Sequence, residues 1–166
     1  MNPLFLPTLK ARLLADLADL RLDWRGPVPD GEAEPSRPVQ VFIGDMPPKK
    51  RRPGDAEKPG DRFPCIVLAP VSGQTDGGED AATVALIYGV YCGEDGDAEG
   101  AEMDSALLLS RIRQSLFPCL KSPLDRRYRL TEDAKGRLFP WEKSDMQPRP
   151  YVQATVMTHW RMKGLE

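Results

Sequence analysis

The carboxyl-terminal part of the chain alternates strictly between two kinds of side chain, which predicts one long β-strand from Val152 to Met162. Because Pro148 and Pro150 cannot donate ladder hydrogen bonds, we expect this strand to begin after Pro150. A strand of this kind requires earlier strands with which to pair. Its mainly apolar face would carry Val152, Ala154, Val156, Thr158, Trp160 and Met162, and its other face Tyr151, Gln153, Thr155, Met157, His159 and Arg161.

The size and composition of the chain favour one domain over residues 1–166. A chain of 166 residues buries enough surface for one sheet and one or two helices. Its 17 prolines and 14 glycines are clustered, which predicts long loops. The formal net charge of −2 gives no overall electrostatic reason to bind nucleic acid or an anionic membrane. Any such binding would have to be local.

Three cysteines, Cys65, Cys92 and Cys119, lie far apart and form no Cys-x-x-Cys pair. An odd number of cysteines without metal-ligand spacing predicts free thiols in a reducing compartment. The start of the chain lacks the basic segment of a signal peptide, and no apolar stretch approaches the ~20 residues of a membrane span. We therefore expect a soluble protein made in the cytoplasm.

Two amphipathic helices are predicted. The first runs from Thr8 to Arg25, within an N-terminal helical region over residues 1–26, with Thr8 as its cap and Gly26 as its stop signal. The second runs from about Asp104 to Phe117 and follows an acidic loop over Gly93 to Asp104. The apolar stripe of the second helix consists of Leu108, Leu109, Ile112 and Leu116.

Apolar runs between turn signals predict the remaining strands. The run from Ala82 to Cys92 is apolar on both faces, so we expect it to be central. Polar turns are expected at Val71 to Asp80 and at Asp133 to Gly136. The fold class is therefore α/β of the α+β type: a single mixed, mainly antiparallel sheet of about five or six strands flanked by two helices, with long mobile loops. The other predicted strands are Val39–Gly44, Cys65–Ala69, Tyr128–Thr131 and Leu138–Trp141.

The segment Asp45 to Arg62 combines four prolines with the basic block Lys49, Lys50, Arg51 and Arg52. Without apolar periodicity it cannot offset the entropy lost on ordering, so residues 45–62 are predicted to form a mobile charged loop. The block could contact phosphate. However, nearby acidic residues restore neutrality and no aromatic side chain is interleaved for base stacking. A solvated loop or a contact with a protein partner is favoured, and the four basic residues are candidate contact residues.

The acidic loop carries Glu94, Asp95, Asp97 and Glu99, which superficially fit the start of a calcium-binding loop. Such a loop closes with a glutamate at position twelve, and here that position is Ala106. The element before the loop is also a predicted strand rather than a helix. A solvated acidic turn is favoured, and these four residues are the second set of candidate contact residues, with no metal expected.

Residues suited to catalysis are few. His159 is the one histidine, and its place in a strand favours a surface or interface residue over a general base. Ser72 lacks the Gly-x-Ser-x-Gly elbow because Pro70 and Gln74 flank it. The glycines at 73, 77 and 78 are not followed by the Gly-Lys-Ser/Thr of a phosphate loop. We expect no catalytic residue and no cofactor.

Several motifs resemble those of the tail terminator and tail completion proteins of long-tailed bacteriophages and prophages, over about Val39 to Met162. These motifs are structural rather than catalytic, and the loop at 45–62 is longer than the pattern requires. They are the N-terminal amphipathic helix, Phe63-Pro64 before a strand, Tyr88-Gly89-Val90-Tyr91 ahead of an acidic loop, the helix with Leu109 to Arg113, and Gln147-Pro-x-Pro-Tyr leading into Ala154-Thr-x-x-Thr-x-Trp160.

This resemblance implies a non-enzymatic virion protein that forms a ring, commonly a homohexamer, on the end of a siphovirus tail tube. The ring would stop tail polymerisation and offer a surface for head–tail joining. The implied partners are other copies of the chain, the tail tube protein and a head–tail connector or neck protein, with no membrane and with DNA passing through without specific binding. The protein would be made in the host cytoplasm and reside in the virion tail near the neck.

Two other classes of function stay open at the level of sequence. One is a small regulatory or nucleic-acid-binding module that uses Lys49 to Arg52, and the weaker one is an enzyme. Salt-dependent retention on DNA would favour the nucleic-acid-binding module, whereas ring-shaped particles in negative stain would favour the tail protein.

Limited trypsin digestion tests the predicted loop. Because residues 45–62 offer little apolar surface to bury, the first cuts should fall at Lys49 to Arg52 and leave the remaining domain folded. Mass spectrometry of the early fragments locates these cuts. A loop that resists trypsin while the core is cut would contradict the prediction.

Overall fold

A computed structural model of the chain describes residues 2–26, 35–46, 60–93, 96–143 and 150–163. Within these ranges the fold is α+β. Six strands form a mixed, mainly antiparallel sheet in the order β3-β4-β5-β8-β6, with β7 also paired to β8, and β1 and β2 form a separate two-stranded sheet. The elements are α1 (Phe5–Asp16), β1 (Arg21–Asp23), β2 (Ser36–Pro38), β3 (Gln40–Ile43), β4 (Cys65–Asp76), β5 (Glu79–Tyr91), α2 (Ala98–Leu116), a short 3-10 helix (Phe117–Leu120), β6 (Tyr128–Thr131), β7 (Trp141–Lys143) and β8 (Tyr151–Lys163).

The predicted fold class, with one mainly antiparallel sheet and two helices, is confirmed. The β8 strand begins directly after Pro150 and pairs with β5 along its whole length, from Tyr91↔Tyr151 to Glu79↔Lys163. On its other side β8 pairs with β6 at one end and with β7 at the other. The predicted central position of β5 is confirmed by its place between β4 and β8. The strand β8, which was predicted from its alternating side chains, therefore lies in the middle of the sheet.

Both helices pack on the same face of the sheet, where the main core lies. The predicted apolar face of β8 points into this core, as does the predicted stripe of α2. Trp160, which is 1% exposed, contacts Phe5 of α1 with ring centroids 5.2 Å apart. Its indole Nε1 donates to Thr158 Oγ1 at 2.9 Å, and Thr158 Oγ1 donates to Val84 O at 2.9 Å. The polar atoms on this side of β8 are thus satisfied inside the core.

The first predicted helix is wrong in its extent. The helix begins at Phe5 and ends at Asp16, and Thr8 does not cap it but donates from Oγ1 to Leu4 O at 2.7 Å. Residues after the helix instead form β1, which pairs with β2, a strand that was not among the predicted ones. The backbone hydrogen bonds of this pairing are non-local, so local periodicity cannot reveal them. Leu17, Leu20 and Trp24 are nevertheless buried. Leu17 and Leu20 join the main core from the turn after the helix, and Trp24, directly after β1, belongs to a second cluster.

Three further boundaries differ from the predictions. The β4 strand continues to Asp76, so the expected turn at Val71 to Asp80 is reduced to Gly77 and Gly78, whose φ angles are 56° and 86°. Only glycine adopts such angles readily at both positions of a tight hairpin. The α2 helix begins at Ala98 rather than Asp104, because Asp97 caps it. The last short strand is β7, displaced from Leu138–Trp141, and it pairs with β8 rather than with β6.

The loop predicted at 45–62 falls mainly outside the described residues. The structure describes Asp45 and Met46 at its start and Gly60 to Arg62 at its end. Gly60 has a φ of 76°, and a Cβ there would lie 2.5 Å from the ring of Tyr91. The end of this segment is therefore packed closely on β5, and the mobility of the remainder stays a prediction.

Replacement of Trp160 tests the register of β8. Trp160→Ala removes a buried indole from the contact with Phe5 and should cost about 3–5 kcal/mol of unfolding free energy. His159→Ala, on the half-buried face, should cost about 0.5 kcal/mol or less. Urea denaturation of both variants measures the difference. The opposite order would mean that the strand is shifted by one residue.

Candidate functional site

The predicted contact residues lie only partly within the described chain. Lys49, Lys50, Arg51 and Arg52, and also Glu94 and Asp95, lie outside it. Asp97 and Glu99 are described, and they occur at the start of α2. Asp97 Oδ1 accepts a hydrogen bond from the Gly100 amide at 2.9 Å, whereas Glu99 is exposed in the first helical turn. Asp97 is therefore an N-cap rather than a free contact residue.

Arg25 connects the segment after β1 to the start of α2. Its Nε atom donates to Asp97 Oδ2 at 3.0 Å, and its Nη1 atom donates to Asp104 Oδ2 at 2.8 Å. The Arg25 side chain is 8% exposed, so both ion pairs are partly shielded from water. A Cβ at Gly100 would lie 2.7 Å from the Arg25 guanidinium. The residues expected to form a solvated acidic turn thus anchor the N-terminal segment.

The side chains with catalytic chemistry are not assembled into a reactive group. His159 is half-buried, its Nδ1 atom lies 3.1 Å from Thr83 Oγ1, and no carboxylate among the described residues forms a hydrogen bond with the ring. Burial raises the pKa of Cys65 to about 12 and also raises the pKa of Cys119, so both thiols are protonated at neutral pH. The three cysteines are buried and free. Within the described ranges, His, Cys, Asp and Glu form no group of three or more that could hold a metal ion.

The sheet face opposite the two helices is a candidate interaction surface. In the strand register Val67, Ile87 and Thr155 lie side by side, followed by Ala69, Ala85 and Met157. We call these six residues the uncovered face, because both described helices pack on the other side. Ile87, at its centre, is 37% exposed, whereas Val67 and Ala85 beside it are nearly buried and the other three residues are half-buried. One end of this side of the sheet is covered by a second cluster, which contains Trp24, Phe63, Cys65 and Tyr91.

Two open cavities adjoin the other end of the uncovered face. One of about 310 Å³ lies between the strands β4, β5 and β8 and the residues 131–134, and one of about 530 Å³ lies between β8 and the segment that leads from β6 into β7. Both are lined by Asp133, Ala134 and His159. The larger cavity is bordered by Trp141, which is 52% exposed on β7. These are recesses with one exposed aromatic side chain, which suits a partner surface better than an enclosed substrate.

Sequence analysis missed a basic group beyond these cavities, formed by Arg126, Arg127, Arg129 and Arg161. We call it the arginine cluster. Arg129 and Arg161 lie directly opposite each other on β6 and β8, and all four side chains are exposed. Arg129 Nε donates to Leu120 O at 3.1 Å. Like charges that lie directly opposite each other destabilise a sheet, so the pairing of Arg129 with Arg161 lowers the stability of the fold.

An acidic group lies at the same end of the sheet. Asp76 and Glu79 face each other across the turn of the β4–β5 hairpin, and both are exposed. We call this pair the acidic tip. Neither residue forms an ion pair with another described residue. The two groups of opposite charge are close to each other, because Glu79 lies on β5 opposite Lys163 and Arg161 lies two residues away on the same paired strand, β8.

Comparison with protein-family models finds no match for this chain, and comparison with curated proteins finds none either. Neither described helix is long and apolar enough to cross a membrane.

Acid titration of the unfolding free energy tests the anchoring role of Asp97. The Gly100 amide and the Arg25 guanidinium lower the pKa of Asp97. A carboxyl group with a lowered folded-state pKa stabilises the fold above its unfolded pKa of about 3.9, and this stabilisation is lost as the pH falls through the folded-state value. Asp97→Asn should therefore be less stable than the parent protein at neutral pH, with the difference disappearing in acid.

Urea denaturation at a series of pH values measures this effect. Glu99→Gln is the matched control, because it removes the same charge from the same helical turn, at a residue that forms no hydrogen bond with another described residue. Its pH dependence should stay closer to that of the parent. Equal pH dependence of the parent and Asp97→Asn would refute the anchoring role.

Proposed function

We propose that this chain is a phage tail assembly protein that caps the tail tube as a ring, stops tube polymerisation and provides the surface for head–tail joining. The sequence motifs from Phe63-Pro64 to Trp160 support this proposal, because they resemble those of tail terminator and tail completion proteins. Its partners would be copies of itself, the tail tube protein and a connector or neck protein. Its place would be the virion tail near the neck.

The observation that carries the proposal is the uncovered face of the sheet. A sheet that stands alone in water normally carries polar residues on its solvated side. Here Ile87, which is 37% exposed, lies opposite Val67 of the neighbouring strand, and Ala85 lies two residues away along β5. All three are uncharged, and Ile87 is the most exposed of them because Val67 and Ala85 are nearly buried. An uncharged surface with a charged border is typical of a protein–protein contact. Capping a growing tube needs such a contact and needs no turnover.

The arginine cluster gives the nucleic-acid-binding alternative a specific observation of its own. Four exposed arginines on adjacent elements could neutralise phosphates, and such binding would weaken steeply as salt increases. The Lys49 to Arg52 block proposed for this role from the sequence lies outside the described residues. Retention of the protein on duplex DNA, measured over a range of salt concentrations, tests this alternative.

A stop codon early in the gene tests the proposed function. A phage or prophage carrying it should still build capsids and polymerise tail tubes, but the tubes should be of irregular or excessive length and should not join heads. Electron microscopy of the lysate measures tube length and joining. Expression of the parent protein in the same cells should restore both. Normal tails that attach to heads without the protein would refute the terminator function.

A pair of substitutions tests the uncovered face itself. Ile87→Lys places a charge at the centre of this face and should impair the control of tube length or head joining. Leu107→Lys makes the same change on the outer side of α2, where the parent leucine is 45% exposed, and should have a smaller effect. Circular dichroism and thermal unfolding should show that both variants fold. Equal loss of function in both would mean that the uncovered face has no special role.

A further inference from the structure

The outward side of α2 is apolar for a helix surface that faces water. Besides the apolar stripe that packs on the sheet, α2 carries a second set of uncharged side chains on its opposite side. We call this set the outer stripe, and all six of its residues are exposed. They are Met103, Ala106, Leu107, Ser110, Gln114 and, directly after the helix, Phe117.

Helical spacing places most of the outer stripe on one line. Met103, Leu107, Ser110, Gln114 and Phe117 follow one another at intervals of four, three, four and three residues. This is the spacing at which one helix packs along another. Phe117 keeps helical backbone angles, and it is 58% exposed, while Met103 is 68% exposed and Leu107 is 45% exposed. Single exposed apolar residues are ordinary, but an aligned set over about 21 Å of helix indicates a contact.

The charged residues beside the outer stripe are paired within the same copy. Asp104, on one side of the stripe, forms an ion pair with Arg25 at 2.8 Å. Glu102, on the other side, forms an ion pair with Lys143. These pairs would lie at the border of a contact made by the outer stripe, where they stay solvated. Burial of the stripe therefore does not require burial of an unpaired charge.

The distribution of charge along α2 favours a second copy of the same helix as the occupant. Glu99 lies in the first turn, whereas Arg113 lies in the last turn and Lys121 lies just after the 3-10 helix. None of the three forms an ion pair with another described residue. Antiparallel packing places the acidic start of one helix beside the basic end of the other, and it also opposes the two helix dipoles. Parallel packing would place like charges together at both ends.

We propose that the outer stripe is a contact between two copies of this chain, whose α2 helices pack antiparallel about a twofold axis near Ser110. Ser110 lies at the midpoint of the stripe, so Met103 of one copy meets Phe117 of the other. The small side chain at the crossing point lets the helices approach closely, because the distance between packed helices depends on the side chains at the contact. The large apolar side chains fill both ends.

This dimer goes beyond the proposed function and does not depend on it. The contact is isologous and closes at two copies, whereas a ring is built from heterologous contacts. A contact between two single helices is at the small end of protein interfaces, so we expect a weak, reversible dimer of the free protein. The outer stripe and the uncovered face lie on opposite sides of the sheet. Leu107→Lys should therefore weaken the dimer and still impair tail assembly less than Ile87→Lys.

Disulfide trapping tests the position of the contact. Ser110→Cys places a thiol near the twofold axis, where two copies can come within the roughly 6 Å between Cα atoms that a disulfide bridges. Mild oxidation should link it at least about tenfold faster than Gln74→Cys, an exposed control on β4 that measures random collision. Non-reducing gels measure the rate. The parent should stay unlinked, because Cys65, Cys92 and Cys119 are buried.

A mixture of two variants tests the orientation of the helices. Met103→Cys and Phe117→Cys should link to each other when mixed in equal amounts. Neither should link to itself, because antiparallel packing separates equivalent residues by about 21 Å along the helix. Mass spectrometry identifies the linked peptides. Self-linking of Met103→Cys or Phe117→Cys at the rate of the mixture would show parallel packing and refute the proposed arrangement.

Analytical ultracentrifugation at increasing protein concentration tests the outer stripe without a new thiol. Met103→Lys should weaken the dimer at least about tenfold, because it introduces an unpaired charge into the contact. Val71→Lys makes the same kind of change on β4, where the parent valine is 58% exposed, and should leave the dimer unchanged.

Two results would overturn the proposal. One is that the parent shows no association that Met103→Lys weakens, and the other is that Ser110→Cys links no faster than Gln74→Cys. If either result were combined with defective tail assembly in Met103→Lys, the outer stripe would be assigned to a different protein partner.

Discussion

The pairing of β5 with β8 is the constraint on which the rest of the structure depends. It is the longest ladder of the sheet, and it fixes which side of each strand faces the helices. Once Leu86 is opposite Val156 and Tyr88 is opposite Ala154, the apolar sets of both strands share one side. A shift of one residue would place Trp160 in water and Arg161 in the core. The positions of the candidate residues on the sheet, such as Ile87, His159 and Arg161, follow from this register.

The same register brings together side chains that are distant in the sequence. His159 meets Thr83 because their strands are paired, and Arg161 meets Arg129 because β8 also pairs with β6. The two helices cover only one face of the sheet. Contacts between them, such as the hydrogen bond from Ser115 Oγ to Asp16 Oδ2 at 2.7 Å, lock the helical layer in place. The other side of the sheet carries the uncovered face and, at one end, the second cluster.

Local patterns predicted those parts of the fold whose stability is decided locally. The alternation of β8 and the stripe of α2 each gave the correct element and the correct buried side, and the apolar run of β5 gave a strand in its correct central place. The end of α1 could not be predicted in this way, because β1 is stabilised by its pairing with β2 across a segment rich in proline. The hairpin of β4 and β5 was also underestimated. Its exposed half carries few apolar residues, and it is held by backbone pairing that extends from the buried half.

The candidate site was less accessible to sequence analysis than the fold. Asp97 was interpreted as part of a solvated acidic loop, although an aspartate followed three residues later by a free helical amide is a typical N-cap. The role of Arg25 had no local signal, because its partner Asp104 is 79 residues away. The arginine cluster combines residues from the turn before β6, from β6 itself and from β8. Only the register of the sheet reveals that they are neighbours.

The central place of β8 has a consequence for how the chain reaches its native state. During synthesis β5 leaves the ribosome well before β8, although β5 needs β8 on one of its two edges. Until β8 arrives, β5 is a long edge strand that is apolar on both faces, which is the kind of segment that pairs with other chains. The nascent protein therefore has an interval in which its most apolar strand needs protection. Chaperone demand and aggregation during expression should depend on how quickly β8 follows.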